Sequence, residues 1–365
     1  MAEEKDADGC ASSGIDVVIP AHEKDHATLA AALASVQRHL PEARRIVIVS
    51  KEPFDGAAAL RLCEWFPEGE FTSYFCQHVT SSNGAFACDG WVLQQLIKLY
   101  CFRVIPGLRD HVLVMDADLI WLRHVTFLHS ATTNAPASSQ PSSVQGCVFS
   151  LAEQDVPHVR SRVDLHRYDD FIERFIPNQP IRKRHPRAET AVVHHCLFQR
   201  HVVESLLTTV EAAYAEQGSP QRFFEAFLAS SVELGGRVSE YELYVSFARQ
   251  FFSESIKERP LSLYVVQDWS GALGDPPPGV DSIVSHSHLR GLSPHELLNR
   301  EGILGSASGS RGPDGSDVLR QQQMRGWATR QFARRMASIN AADRGDSGGM
   351  TLYLSNLLAA VEKAT

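Results

Sequence analysis

A chain of 365 residues with 44% hydrophobic and 21% charged residues has the make-up of a soluble globular protein. That length suits one large domain with appendages or two small ones, and it needs no disulfide or metal merely to fold. The formal charge of −8, with no long run of Lys and Arg, disfavours a nucleic-acid-binding role.

No apolar stretch approaches the roughly 20 residues that cross a bilayer, so no membrane span is expected. The opening MAEEKDADGCASSG is acidic and polar and lacks the apolar core of a secretory signal. The seven Cys are scattered, with no CxxC pair, and read as reduced thiols. A cytoplasmic location is the expectation.

Residues 1–13 read as a disordered tail. Ile15 to Pro20 is an apolar strand ended by proline, residues 26–39 carry Leu29, Leu33 and Val36 at helical spacing, and Arg45 to Ser50 is a second strand. This β-α-β order predicts parallel pairing. Residues 87–104 form a helix with Leu93, Leu96, Ile97 and Tyr100 on its apolar face. Trp91, Gln95 and Lys98 share a different face at i, i+4 and i+7. His111 to Met115 is a fully apolar strand, and Asp116 and Asp118 follow its C-terminal end, where open α/β sheets bind ligands.

Residues 130–145 read as a Ser/Ala/Pro-rich loop. Arg182-Lys183-Arg184-His185 reads as a solvated basic loop. Helices are expected over 200–217, 221–232 and from Glu240 to about Phe252, with a last strand from Val280 to Val284. Residues 301–316 read as a flexible linker and 317–365 as peripheral helices.

The chemistry-bearing motif is VLVMDADLIW. Hard cations such as Mg²⁺ and Mn²⁺ prefer oxygen ligands. Two aspartates at this spacing are suited to hold one against a diphosphate, whose charge it offsets as the bond to the leaving group breaks. A bland strand-end role for the pair is the competing reading. A haloacid-dehalogenase-type phosphatase also uses an apolar strand followed by DxD. It fits less well, because Ile120, two positions after the second Asp, is an imperfect match that lacks a hydroxyl, and Asp169-Asp170 precedes a helical pattern. Zinc is disfavoured, because the scattered Cys form no zinc-like pair.

The stretch GWVLQQLIKLYCFRVIPGLRDHVLVMDADLIWLRHVTFL resembles the core of GT-A-type glycosyltransferases, glycogenin-like enzymes among them. IDVVIPAHEKD resembles the nucleotide-binding start of the same superfamily. HHCLFQR and SEYELY resemble the acceptor-side half of a less characterised branch. The resemblance spans about residues 14–290 and implies a GT-A-like α/β/α sandwich over residues 14–300, with a mixed, mostly parallel central sheet. It implies transfer of a sugar from a nucleoside diphosphate donor, UDP-linked by analogy, to an acceptor hydroxyl, with Mn²⁺ or Mg²⁺ as cofactor. A non-catalytic nucleotide- or glycan-binding protein of the same fold is the alternative.

Residue by residue, the resemblance implies that Pro20, Ala21 and His22 lie beside the nucleoside. It implies that Lys98 reaches the donor, with Gln95 nearby, that Asp116 contacts ribose or metal, and that Asp118 binds the metal. His286, or failing it His288, would complete the metal site. Glu240 and Glu242 are the candidate catalytic carboxylates, although acids after Ser239 also suit a helix start. Of His194 and His195, adjacent on a strand, at most one faces an acceptor pocket.

Overall fold

The computed structural model describes residues 14–54, 62–80, 86–130, 144–152, 168–181, 189–219, 221–266, 269–276 and 278–285. Residues 1–13, 131–143 and 182–185, His286, His288, and residues 301–316 and 317–365, for which a tail, a loop, a basic loop, metal ligands, a linker and helices were expected, lie outside them. Contacts divide the chain into two units. Of the second, Val266–Val280 with His288–Thr365, the described residues hold one short helix, Trp269–Gly274. All that follows concerns the first, Met1–Val265 with Asp281–Ser287.

Its central sheet begins with β1 (Ile15–Pro20), followed by α1 (His26–His39), β2 (Ala43–Ser50), β3 (Cys63–Pro67) and α2 (Glu68–His78). Next come α3 (Gly90–Val104) and β4 (His111–Met115), and much later β9 (His195–Gln199). The strand order is β3-β2-β1-β4-β9. Neighbours pair in parallel from β3 to β4, and β9 runs antiparallel to β4. This is the mixed, mostly parallel sheet that the GT-A resemblance implied. All six residues of β1, at the centre, are buried, as a strand covered on both faces requires.

Alternate side chains divide between the two faces. Val18, Val47, Val49, Val112, Val114 and Phe198 join one core cluster with α3 and three later helices, α5 (Arg200–Glu216), α6 (Phe223–Glu233) and α7 (Glu240–Phe251). A short helix, α4 (Asp169–Arg174), adds Phe171 and Ile172 to that cluster. Val17, Ile19, Ile46, Ile48 and Leu113 are equally buried from the other face, where Leu29, Leu33 and Val36 of α1 also lose their surface to water. The periodicity of α1 matches the expectation residue for residue. α3 starts three residues later than its apolar pattern, because the Asp89 side chain accepts from Val92 N at 2.9 Å and caps it there.

Two smaller sheets flank the first. β5 (Leu119–Trp121) pairs antiparallel with β12 (Ser282–Val284), which pairs in parallel with β11 (Leu263–Val265). β7 (Val144–Ala152) lies between β6 (Leu128–Ser130) and β10 (Ile256–Pro260), and also pairs with β8 (Glu189–Thr190). Asp116-Ala117-Asp118 is therefore the passage by which the chain leaves the central sheet at β4 and enters a second sheet at β5. No helix among the described residues is long and apolar enough to cross a membrane.

Phe75 of α2 is fully buried and packs at ring-centroid distances of 5.0 Å from both Tyr100 and Phe224 and 4.7 Å from Phe86. Phe75→Ala removes that ring from a filled site and is expected to cost about 3–5 kcal/mol, read as a lower urea midpoint.

Candidate metal centre at the end of the central sheet

β1 and β4 run parallel with Val18 opposite Val114, so their C-terminal ends emerge on one side. Pro20, Ala21 and His22 leave β1 there. Ala21 N donates to Val49 O at 2.8 Å, and the exposed His22 ring accepts from Lys24 N at 3.3 Å to open a short 3-10 turn. Asp116 leaves β4 on the same side. Because β9 is antiparallel to β4 with Met115 opposite His195, the residue before β9 comes alongside Asp116. Asp116 N donates to His194 O at 2.8 Å.

His194 has φ +63°, a left-handed conformation that costs a non-glycine residue roughly 1–3 kcal/mol. Its ring stands over Asp116, with Nδ1 at 2.9 Å from Oδ2. Asp116, Asp118 and His194 each offer a ligand atom, and these atoms lie within 4.8 Å of one another. Ser285 N, in the residue after β12, donates to Asp118 O at 3.1 Å.

Behind Asp116 lies a buried cation. The Lys98 ammonium bonds Asp116 Oδ1, Glu240 Oε1 at 2.7 Å and the Tyr241 hydroxyl at 2.9 Å. Three ammonium protons thus meet three oxygens, and Lys98 is only 3% exposed. The Tyr241 hydroxyl donates to Asp116 Oδ1 at 2.9 Å. Gln95, one turn before Lys98, accepts from Glu240 N at 3.0 Å. The stripe Gln95–Lys98 read from the sequence is thus turned toward the start of α7, where it holds protein groups.

Burial alone would raise the Asp116 carboxyl, but Lys98 and then His194 outweigh it and hold it well below the usual range. Burial works against charge on Lys98 and His194 too, and there also the carboxylate neighbours win, so both are raised. Burial raises Glu240, with Lys98 opposing. A cation that took a ring nitrogen of His194 would compete with a proton for it.

The two candidate catalytic carboxylates separate. Glu240 joins the Lys98 network. Glu242, fully buried, accepts from Thr190 Oγ1 at 2.5 Å and Ala191 N at 3.0 Å. The histidine pair separates too, although not by strand alternation, because His194 precedes β9 in a left-handed conformation. His195 is buried against Trp121, Phe127 and Phe149, at ring distances of 4.7, 5.6 and 5.5 Å. Burial pushes its imidazole down to about 3. Asp169 and Asp170, the pair weighed for a phosphatase, stand in the first turn of α4, with Asp170 3.7 Å from Arg174. Two residues of the centre were not read from sequence as such. Tyr241 was not singled out, although it follows Glu240, and His194 was read as an acceptor-side residue.

No family model matches the sequence, and no curated protein does. Among solved structures, the apo form of mouse xyloside xylosyltransferase 1 is similar, with a TM-score of 0.39 and 10% identity. The match covers 76% of this chain and 98% of that one.

Lys98→Met leaves Asp116 and Glu240 facing each other without their shared cation. It is expected to destabilise the protein by about 3–5 kcal/mol, measured by urea denaturation, with partial recovery in Lys98→Met/Glu240→Gln. His195 supplies a pH test. Its folded-state value lies below its unfolded one, so below pH 6.5 the unfolded chain takes a proton that the folded chain refuses. Stability then falls by up to about 1.4 kcal/mol per pH unit as the pH drops toward 3. His195→Leu should flatten that slope in denaturation curves recorded from pH 7 to 4.

Proposed function

We propose that this protein is a metal-dependent glycosyltransferase, moving a sugar from a nucleoside diphosphate donor, UDP-linked, to an acceptor hydroxyl. One observation carries the reading. Two carboxylates two residues apart leave the C-terminal end of a strand in a mostly parallel sheet, and an imidazole brings a third ligand atom within 4.8 Å.

The donor set fits the implied metal. Carboxylate oxygens suit a hard divalent ion, and an imidazole nitrogen moves the preference from Mg²⁺ toward Mn²⁺. Asp116, Asp118 and His194 would hold it. His286 is a further ligand in this reading, supported by Ser285, the residue before it, bonding Asp118 O. When bound, the ion supplies positive charge to a departing diphosphate.

The chain's own residues do the rest. Lys98 keeps Asp116 ionised and therefore ready as a ligand at neutral pH. Pro20, Ala21 and His22 line the nucleoside side, supported by the shared direction of β1 and β4. The acceptor approaches from the His194 side of the carboxylate pair. In this role His194 carries both the resemblance to the acceptor half and the third ligand position.

The test is release of nucleoside diphosphate from a panel of UDP-, GDP- and ADP-sugars, with Mn²⁺ or with EDTA. Slow donor hydrolysis makes an acceptor unnecessary. Turnover is expected with Mn²⁺ and absent in EDTA. Asp118→Asn should lose roughly 100-fold or more while keeping its circular dichroism spectrum. Full turnover in EDTA or in Asp118→Asn overturns the reading. A Mn²⁺-dependent rise in melting temperature with UDP but no release from any donor points instead to a binding protein of this fold.

A further inference from the structure

The two oxygens of Asp116 have different surroundings. Oδ1 takes the Lys98 ammonium and the Tyr241 hydroxyl, while Oδ2 faces His194. The Tyr241 hydroxyl also accepts from Lys98, so ammonium, hydroxyl and Oδ1 close a triangle, and Glu240 braces the ammonium from behind. Tyr241 is 2% exposed, and its hydroxyl donates to Oδ1 at 2.9 Å.

We propose that Tyr241 is a positioning residue for the metal centre: with Lys98, itself braced by Glu240, it fixes Asp116 Oδ1 so that Oδ2 is the oxygen presented beside Asp118 and His194. The inference rests on the metal reading above and deepens it. The terminal torsion of an aspartate is broad, and a carboxylate left to rotate would lose that freedom on taking an ion. Two donors on one oxygen remove the freedom in advance, as hydrogen-bonded outer partners do for ligating carboxylates in general. Lys98 alone supplies charge with little direction. The hydroxyl adds direction without adding a second positive charge beside the ion, and Glu240 offsets the charge that Lys98 brings.

The experiment is Mn²⁺ binding by the full chain without nucleotide, read from the EPR signal of free Mn²⁺. Tyr241→Phe keeps the ring and removes the hydroxyl. Tyr244→Phe is the control. Tyr244 lies on the same helix, is fully buried, and its hydroxyl accepts from Gln199 N at 2.9 Å, away from Asp116. Tyr241→Phe is expected to weaken Mn²⁺ binding roughly 10-fold or more, and Tyr244→Phe to leave it unchanged. Wild-type affinity in Tyr241→Phe overturns the proposal, as does an equal loss in Tyr244→Phe, which would mark a general effect of losing a buried hydroxyl. If Tyr241→Phe does not fold, Glu240→Gln takes its place. Weaker binding there supports the proposal and unchanged binding overturns it. A wild-type chain that binds no Mn²⁺ at millimolar concentration sinks the metal reading and this inference together, whereas binding that Tyr241→Phe leaves intact sinks this inference alone.

Discussion

The ammonium of Lys98 is the interaction on which the candidate site depends. An uncompensated buried ammonium carries a desolvation cost of several kcal/mol. Here the cost is met by oxygens from two other elements, Asp116 at the end of β4 and Glu240 with Tyr241 at the start of α7. Three elements far apart in sequence therefore share one charge. Replacing Lys98 by an apolar residue would leave two acids without the cation they share, and replacing either acid would leave the ammonium short of a partner. The network stands only as a whole, as a polar cluster in a low-dielectric interior must.

Around that charge, the sheet does the positioning. β1 and β4 are parallel, so the turn after each opens on the same side. β9 then enters antiparallel against β4, which sets the residue preceding β9 next to the residue following β4. The Asp116–His194 approach is thus a consequence of strand direction, and the backbone bond from Asp116 N to His194 O fixes it. The left-handed turn at His194 is the local cost of delivering an imidazole there.

How far the sequence could be read depended on the range of the interaction. β1, α1, β4 and the start of α7 were legible because an apolar run, a 3.6-residue period and a Ser cap are local signals. Asp116 and Asp118 were legible because both belong to one short motif. The partnership of Lys98 with Glu240 spans 142 residues and that of Asp116 with His194 spans 78, and no local pattern records either. The spacing of Gln95 and Lys98 showed that they share a helix face but not that the face is turned to α7. β8 and β11, two and three residues long, carry too little alternation to stand out. At β9 a strand was legible beside His194 and His195, but the burial of its histidine and cysteine was not, because that is a property of the folded environment.

Glu240 and Glu242 show the same division in miniature. Two residues apart on a helix, their side chains point about 200° from each other. One meets Lys98 and through it Asp116. The other meets Thr190 and Ala191, the segment that runs on to His194. The first turn of α7 therefore holds the carboxylate side and the imidazole side of the centre at once. Any displacement of that turn therefore reaches both ligand groups, while the backbone bond from Asp116 N to His194 O keeps the two side by side.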